Sequence, residues 1–343
     1  MRRALAVVAA AAMVLGSLAL RDRLDRREEE RTTVLRLVCA TELGPVCERL
    51  ADAGDTPLDL TVEAAGTTAD RLTAVESDPE LDGWLVSAPW PEMVDGARRA
   101  RALPPLFGPS GAPLARSPLV LVVWNDRAAV LATRCEGGQV GWSCLGDAAG
   151  AAGGWAAIGG RPEWGPVKPG HGDAVTDDVG LLVLGQAVAA FLGRTDLSTA
   201  DLDDGRFERW FAALERAVPP SPRSPLGTML VTGPAAYDAV GTTEAEARPL
   251  LERSVRGRDL SLLYPSPMAT ADVVLATPEG SLGRRIRQVA SGDSARRALA
   301  DAGFRVEGVR APAGGPPLPP TSGLPSPGLL DAVRSRAREV TGR

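Results

Sequence analysis

From residue 34 onwards the chain alternates short apolar runs with amphipathic ones, at a spacing that few architectures accept. VLRLVC (34–39) reads as a buried strand, and ELGPVCERLADAG as a short helix entered through Pro45 and closed near Gly54. PLDLTVEA (57–64), GTTADRLTAVES, DGWLVS (82–87) and PEMVDGARRA repeat the alternation of strand and helix. Strands separated by single helices cannot close as hairpins, so they pair in parallel through crossover connections. The pattern predicts βαβ units and a mostly parallel sheet flanked by helices. SPLVLVVW (117–124) carries the strongest strand signal of all.

The second half is less regular. A Gly/Ala-rich turn region at 146–160 precedes helices predicted near 177–193 and 205–217, and PPSPRSPLG (219–227) forms a rigid connection. After GTMLV come a helix near 242–253, strands at 259–265 and 271–276, and helices near 281–291 and 293–302. The proline-rich stretch 312–328 leads into a last helix over roughly 328–340. No internal repeat stands out.

Length matters here because 343 residues suffice for two domains or one large α/β unit with a sizeable core. A net charge of −5, with no basic patch interleaved with aromatics, argues against nucleic-acid binding. Met1-Arg2-Arg3 followed by an uncharged apolar run from Ala4 to Leu20 reads as a signal peptide or a retained membrane anchor, and Ser17-Leu18-Ala19 fits a signal-peptidase site. Arg21, Arg23, Arg26 and Arg27 outnumber the positive charges before the run, which by the positive-inside rule favours the opposite orientation. Residues 21–31 would be a charged stalk.

The four cysteines fall in two close pairs, Cys39 with Cys47 and Cys135 with Cys144. Local disulfides are the simplest account and imply an oxidising compartment; four reduced, buried cysteines are the alternative. With one histidine in the chain and no CxxC spacing, a zinc site of ordinary composition is hard to assemble, and no metal or cofactor is expected.

That histidine and the only lysine share one stretch, KPGHGDAVTDDVG (168–180), ahead of a strongly apolar run. A glycine-rich loop before a helix is a place where backbone N–H groups meet a ligand. Signatures of catalysis are missing: no G-x-S-x-G elbow, HExxH, Walker A loop or GxGxxG occurs, and the chain is not expected to be an enzyme. A hydrolase would require a Ser or Thr hydroxyl beside His171. In an open parallel sheet ligands bind beyond the carboxyl ends of the strands. CATELG, AAGTTAD and SAPW follow the first three strands, which brings Thr41, Thr67 and Thr68 to that edge, either as ligand contacts or as helix caps.

The order of segments resembles the bacterial extracellular solute-binding proteins of the type II periplasmic kind, the group of the molybdate-binding proteins and of von Willebrand A-associated binding domains. SPLVLVVW resembles that family's crossover strand, GPVKPGHGDAVTDDVGLLVL its loop-helix segment, and TGPAAYDAV, TTEAEA, LSLLYPSP and ADVVLA the return towards the first lobe. RQVASGDSARRALADAGFRV resembles the terminal helix pair. The resemblance spans about 34 to 340. It implies an α/β fold of two lobes joined by crossover strands, with lobe 1 at 32–118 and 258–343, lobe 2 at 119–257, and a ligand in the cleft. Carried over by position, ligand contacts fall at Thr41, Thr67, Thr68, Asp173, Thr176 and Tyr237, with Thr176 capping the following helix. Glu42 and His171 stand beside these, and Trp90 and Trp164 are near enough to stack on an organic solute.

One departure matters. Oxyanion sites of that family are built from neutral hydroxyls and amides, whereas this chain places Glu42, Asp173, Asp177 and Asp178 there. Poorly solvated carboxylates would repel an oxyanion by a few kcal/mol. The expectation is therefore a monomeric, exported or membrane-anchored protein that closes on a small polar solute, cationic, zwitterionic or neutral rather than an oxyanion, and presents it to a membrane transporter or another envelope protein. The alternative is an anchored interaction domain of the same fold that binds a protein partner and no small solute.

Overall fold

A computed structural model describes residues 33–53, 56–219, 224–309 and 315–342. The expected signal or anchor and its stalk lie outside the described residues, among which no helix is long and apolar enough to cross a membrane.

The predicted alternation is present. β1 (Leu35–Ala40), α1 (Gly44–Ala53), β2 (Leu58–Glu63), α2 (Ala65–Ala74), β3 (Gly83–Ala88) and α3 (Trp90–Ala100) follow one another, and β1 lies parallel between β2 and β3. β4 (Ala115–Trp124) then runs through the centre of the molecule, buried at every position but Arg116. Its first residues, to Pro118, pair antiparallel with β8 (Thr270–Ala276), which also pairs with β3. From Leu119 on it pairs antiparallel with β6 (Ala239–Thr243), and from Leu121 with β7 (Leu260–Leu263). Pro118 stands at the changeover, where the ladder passes from one neighbour to the next and a missing N–H donor costs least. The short β5 (Pro169–Gly170) adds to β6 in parallel, giving a mixed sheet of order β2-β1-β3-β8-β4-β6-β5 with β7 branching from β4.

Between β4 and β6 the chain is largely helical: α4 (Asn125–Ala132), α5 (Trp142–Ala149), α6 (Asp178–Leu192), α7 (Gly205–Ala217) and α8 (Pro225–Thr232), which contains the GTML of GTMLV. α6 is apolar on nearly all sides and correspondingly buried from Gly180 to Ala189, a helix meant for an interior. α9 (Glu244–Arg253), α10 (Ser281–Ser291), α11 (Asp293–Asp301) and α12 (Pro327–Thr341) complete the set. Two expectations need correction. The helix predicted near 242–253 begins only at Glu244, because the two threonines before it end strand β6, which sequence reading missed. The stretch from Cys135 through the turns at 146–160 also holds α5, and α4, just before it, had not been expected.

Both local disulfides form, Cys39–Cys47 and Cys135–Cys144, and no free cysteine remains. The first ties β1 to α1 at the strand's carboxyl end, fixing the loop between them; the second ties the end of α4 to α5.

Candidate functional site

A cavity of about 720 Å³ opens at the carboxyl ends of β1, β3 and β6. One wall comes from the turn Thr41–Leu43 and the start of α1, with Ser87 at the end of β3. The facing wall is the loop at 172–177 and the first turn of α6. Thr242, Thr243 and α9 form a third side, and Ala302 and Phe304 close the rim. This is the edge where an α/β sheet presents helix N-termini to a ligand.

The loop owes its path to close backbone contacts. Gly180 in α6 packs against the Gly172 carbonyl, where a Cβ would lie 2.6 Å from that oxygen. Gly66, at the start of α2, donates from its N–H to the Thr176 carbonyl at 2.8 Å, and a Cβ there would stand 2.2 Å from the Val175 oxygen. Arg334 of α12 locks the same junction, donating to the Val175 and Gly66 carbonyls and pairing with Asp70. The β2–α2 loop is thus packed behind the 173–176 loop rather than against the cavity.

That arrangement separates the residues singled out from sequence. Thr41, Glu42, Asp173 and Thr176 line the cavity. Thr67 is exposed elsewhere, and the buried Thr68 donates to Glu63 at 2.6 Å. Trp90 is fully buried behind the wall, its Nε1 donating to the Asp178 carbonyl. Tyr237 is buried with its hydroxyl on the Pro219 carbonyl. Trp164 is covered by the Arg127 guanidinium, 3.6 Å from the ring centroid. Lys168 is also structural: its amide and ammonium both meet the buried Asp238.

His171 sits behind the loop in a small void of about 30 Å³. Its ring nitrogens face two oxygens, Gly172 O at 2.7 Å and Glu215 Oε1 at 2.9 Å, an arrangement that suits the charged, doubly protonated ring. Burial disfavours that charge, but Glu215 and the Gly172 carbonyl outweigh it and raise the pKa. Neither nitrogen is left to take a proton from a hydroxyl, the geometry a histidine-assisted nucleophile requires.

Thr176 does not cap α6. Asp177 occupies the N-cap position, and its carboxylate turns back to accept from the Asp173 amide at 2.9 Å. Asp178 is buried and accepts from the Ser87 amide and, at 2.7 Å, from its hydroxyl, so it joins β3 to α6. Glu42 is open to the cavity yet enclosed by protein on both sides, near the N-terminus of α6. Enclosure and the neighbouring Asp178 push its carboxyl up to about 8. Burial, tempered by Ser87, pushes Asp178 up to about 7. Sequence reading had not proposed Ser87, Thr242, Thr243 or Glu246 as contacts. Thr243 and Glu246 carry a helix-start signature, T-x-x-E, and Thr243 caps α9 by accepting from the Glu246 amide at 3.2 Å. Among the described residues no group of three His, Cys, Asp or Glu side chains converges to hold a metal ion.

No family model matches the sequence, and no curated protein matches it. Solved structures do match, over nearly the whole chain. Iron-bound HitA from Pseudomonas aeruginosa is 14% identical, with 90% of this chain and 99% of that one covered and a TM-score of 0.57. The periplasmic binding protein AfuA from Actinobacillus pleuropneumoniae, with exogenous fructose-6-phosphate bound, is 11% identical over 91% and 97%, with a TM-score of 0.58. A periplasmic thiamin binding protein is 14% identical over 90% and 96%, with a TM-score of 0.57. At such identities the likeness is one of fold: the chain has the type II periplasmic binding protein fold.

Proposed function

We propose that the protein is an extracytoplasmic solute-binding protein that closes two lobes on a small polar solute and presents it to a membrane partner. The observation that carries this reading is the 720 Å³ cavity at the strand ends, within the size range of small-molecule sites. The neighbours' bound iron and fructose-6-phosphate, and the thiamin of the third one's name, support a solute-binding role without choosing the solute. The disulfides agree with an oxidising, extracytoplasmic compartment.

The lobes in this reading are 32–118 with 258–343, and 119–257, with β4 as the crossover. Thr41, Glu42, Asp173 and Thr176 touch the solute. Trp90 and His171 act one layer behind, holding Asp178 and the loop in place, and Thr67, Thr68 and Tyr237 contribute to the scaffold. Binding works by differential affinity: a solute that meets both walls only in the closed state shifts the population towards it.

Native mass spectrometry of the protein taken from its own host's envelope, without denaturation, tests the proposal. A reproducible extra mass that is lost on unfolding is the expected result. A clean mass that persists after incubation with pooled metabolites would favour the other reading, an envelope interaction domain of the same fold with a protein partner.

A further inference from the structure

In the lobe assignment proposed above, α12 belongs to lobe 1 by sequence, yet it lies across the boundary. It packs on α3 of lobe 1 and on α6 and α7 of lobe 2. Leu329, Leu330, Val333 and Ala337 belong to its buried face. The approach to α6 is close: a Cβ on Gly185 would stand 2.4 Å from the Leu330 side chain, so a larger residue there would push Leu330 aside. The arginines of α12 divide between the two sides. Arg334, itself buried, donates to the Gly66 carbonyl and pairs with Asp70 in lobe 1, and it donates to the Val175 carbonyl in lobe 2 at 2.7 Å. Arg336 pairs with Asp203 and Glu208 of lobe 2, both at 3.0 Å, and Arg338 with Asp70 of lobe 1.

Next to Arg334 the lobes are bonded directly. The Gly66 amide donates to the Thr176 carbonyl, the Ser87 amide and hydroxyl donate to Asp178, and Trp90 Nε1 donates to the Asp178 carbonyl. Both partners in each bond belong to the chain, so the walls meet on this side without a solute between them. The bonds are also tied to the helix, because Arg334 holds the carbonyls of Gly66 and Val175 on either side of the Gly66–Thr176 link. Parting the walls here requires α12 to leave one lobe, uncovering its apolar face and stranding a buried guanidinium.

The connection to α12 suits such a movement. Residues 315–326 are rich in proline and form neither helix nor strand. They are fixed to the body through their carbonyls: Arg116 donates to those of Pro319 and Thr321, and the Thr270 amide to that of Ser322. α12 thus ends an arm that is anchored at its base, and a helix that unseats stays close enough to return, since reseating is intramolecular. None of the described residues lining the 720 Å³ cavity comes from α12.

We infer that α12 is a clasp on the cleft: seated, it holds the two walls together by the chain's own contacts, and its release is the step that lets the lobes part. This rests on the solute-binding reading and deepens it, by placing control of opening outside the cavity. A solute adds its contacts to walls that α12 already joins. The grip of the helix then sets how often the cavity opens, whichever solute it holds.

Residue-resolved hydrogen exchange of the folded protein reads the clasp directly, because the Gly66 and Ser87 amides bridge the walls whereas those of β4 lie in the central sheet. In the unaltered protein both bridging amides are expected to be strongly protected. Arg334→Met keeps an apolar stem and the helix but removes the guanidinium. It is expected to speed exchange at Gly66, at Ser87 and along α12 by about a hundredfold while β4 stays unchanged, and to enlarge the radius of gyration in small-angle X-ray scattering. Asp70→Asn, which leaves Arg334 its two carbonyls, is expected to act at the same amides by about tenfold or less. Fast exchange at both bridging amides in the unaltered protein, which needs no variant, overturns the inference. So does an Arg334→Met protein in which they stay as slow as before, or one in which β4 loosens equally, since α12 would then be an ordinary core helix. The solute-binding reading is decided separately by native mass spectrometry: a solute found there leaves that reading standing when the clasp fails, and protected bridging amides leave the clasp standing when no solute is found.

Discussion

Glu244 and Asp178 are both the first residue of a helix, both buried to about 1% exposure, and yet they live in opposite electrical surroundings. Glu244 opens α9 with the Arg305 guanidinium on both its oxygens, at 3.1 and 2.6 Å, and the Tyr264 hydroxyl donating to it. Burial works against its charge, but Arg305 and Tyr264 prevail, and its pKa lies below the ordinary value. Asp178 opens α6 with the Ser87 amide and hydroxyl and the Trp90 indole around it, and Asp177 and Glu42 for neighbours. A buried acid beside a guanidinium is structure. One with only neutral donors around it and other acids nearby is held by the fold at the cost of a raised pKa. Asp238 has Arg127 and Lys168, and Asp272 has Arg116, as Glu244 has Arg305, whereas Asp95, buried away from the cavity, accepts from the Leu106 and Phe107 amides and is raised by burial.

The largest effect expected from breaking this contrast is Arg305→Ala. It strands a buried carboxylate without its partner, for which about 3–5 kcal/mol of stability is the usual loss. Urea denaturation at neutral pH measures it. A loss below about 1 kcal/mol would mean that Glu244 is as tolerant of isolation as Asp178 is, and the distinction between the two sites would collapse.

Which of these roles sequence can reveal depends on how far away the partner lies. The alternation over 34–100 was legible because β1 and β3 are largely apolar runs and β2 alternates apolar with polar residues, each followed by an amphipathic stretch. β6 was not: AVGTT is five residues long, with a glycine in the middle and threonines at its end, so it reads as the approach to a helix. With β6 went Thr242, Thr243 and Glu246. The stretch 168–180 was legible as a loop at a helix N-terminus, and its acids were legible as a departure from an anion site. The meaning of its two rare residues was not. Lys168 answers to Asp238, 70 positions away, and His171 to Glu215, 44 positions away, and neither distance leaves a mark on local pattern. Asp178 and Ser87, 91 positions apart, pose the same problem.

A smaller effect of opposite sign is expected from Asp178→Asn. A carboxyl whose pKa is raised in the folded state favours folding while it is protonated. Its ionisation therefore erodes stability as pH rises from the unfolded value towards the folded one, about 7 here. The asparagine variant, which keeps an acceptor for the Ser87 hydroxyl, is expected to be more stable than the parent by about 1–2 kcal/mol at pH 8, with the difference shrinking towards pH 4. His171 imposes a trend in the same direction. Its raised pKa gives stability that is complete below the unfolded histidine value and is lost as pH climbs through the folded one. Thermal denaturation across pH should thus show the parent losing stability more steeply than the variant between about pH 4 and about pH 7, with the His171 decline above that range common to both. A variant that is uniformly less stable at all pH values would make Asp178 a structural acid like Glu244.

The smallest effect sharpens the contrast most, because its sign on binding differs from its size on stability. Arg49 pairs with Asp301 at 3.6 Å, with side chains 53% and 70% exposed, so the pair contributes less than about 1 kcal/mol. Arg49→Ala should leave the denaturation midpoint nearly unchanged. Yet Arg49 lines the cavity, and a positive charge there opposes a cationic solute as it enters. Its removal is expected to tighten cation binding by up to about fivefold at low salt and by less at high salt, since the mouth is open to screening ions. A weakened affinity instead would show that the guanidinium holds part of the solute. The solute would then carry an anionic group that meets Arg49.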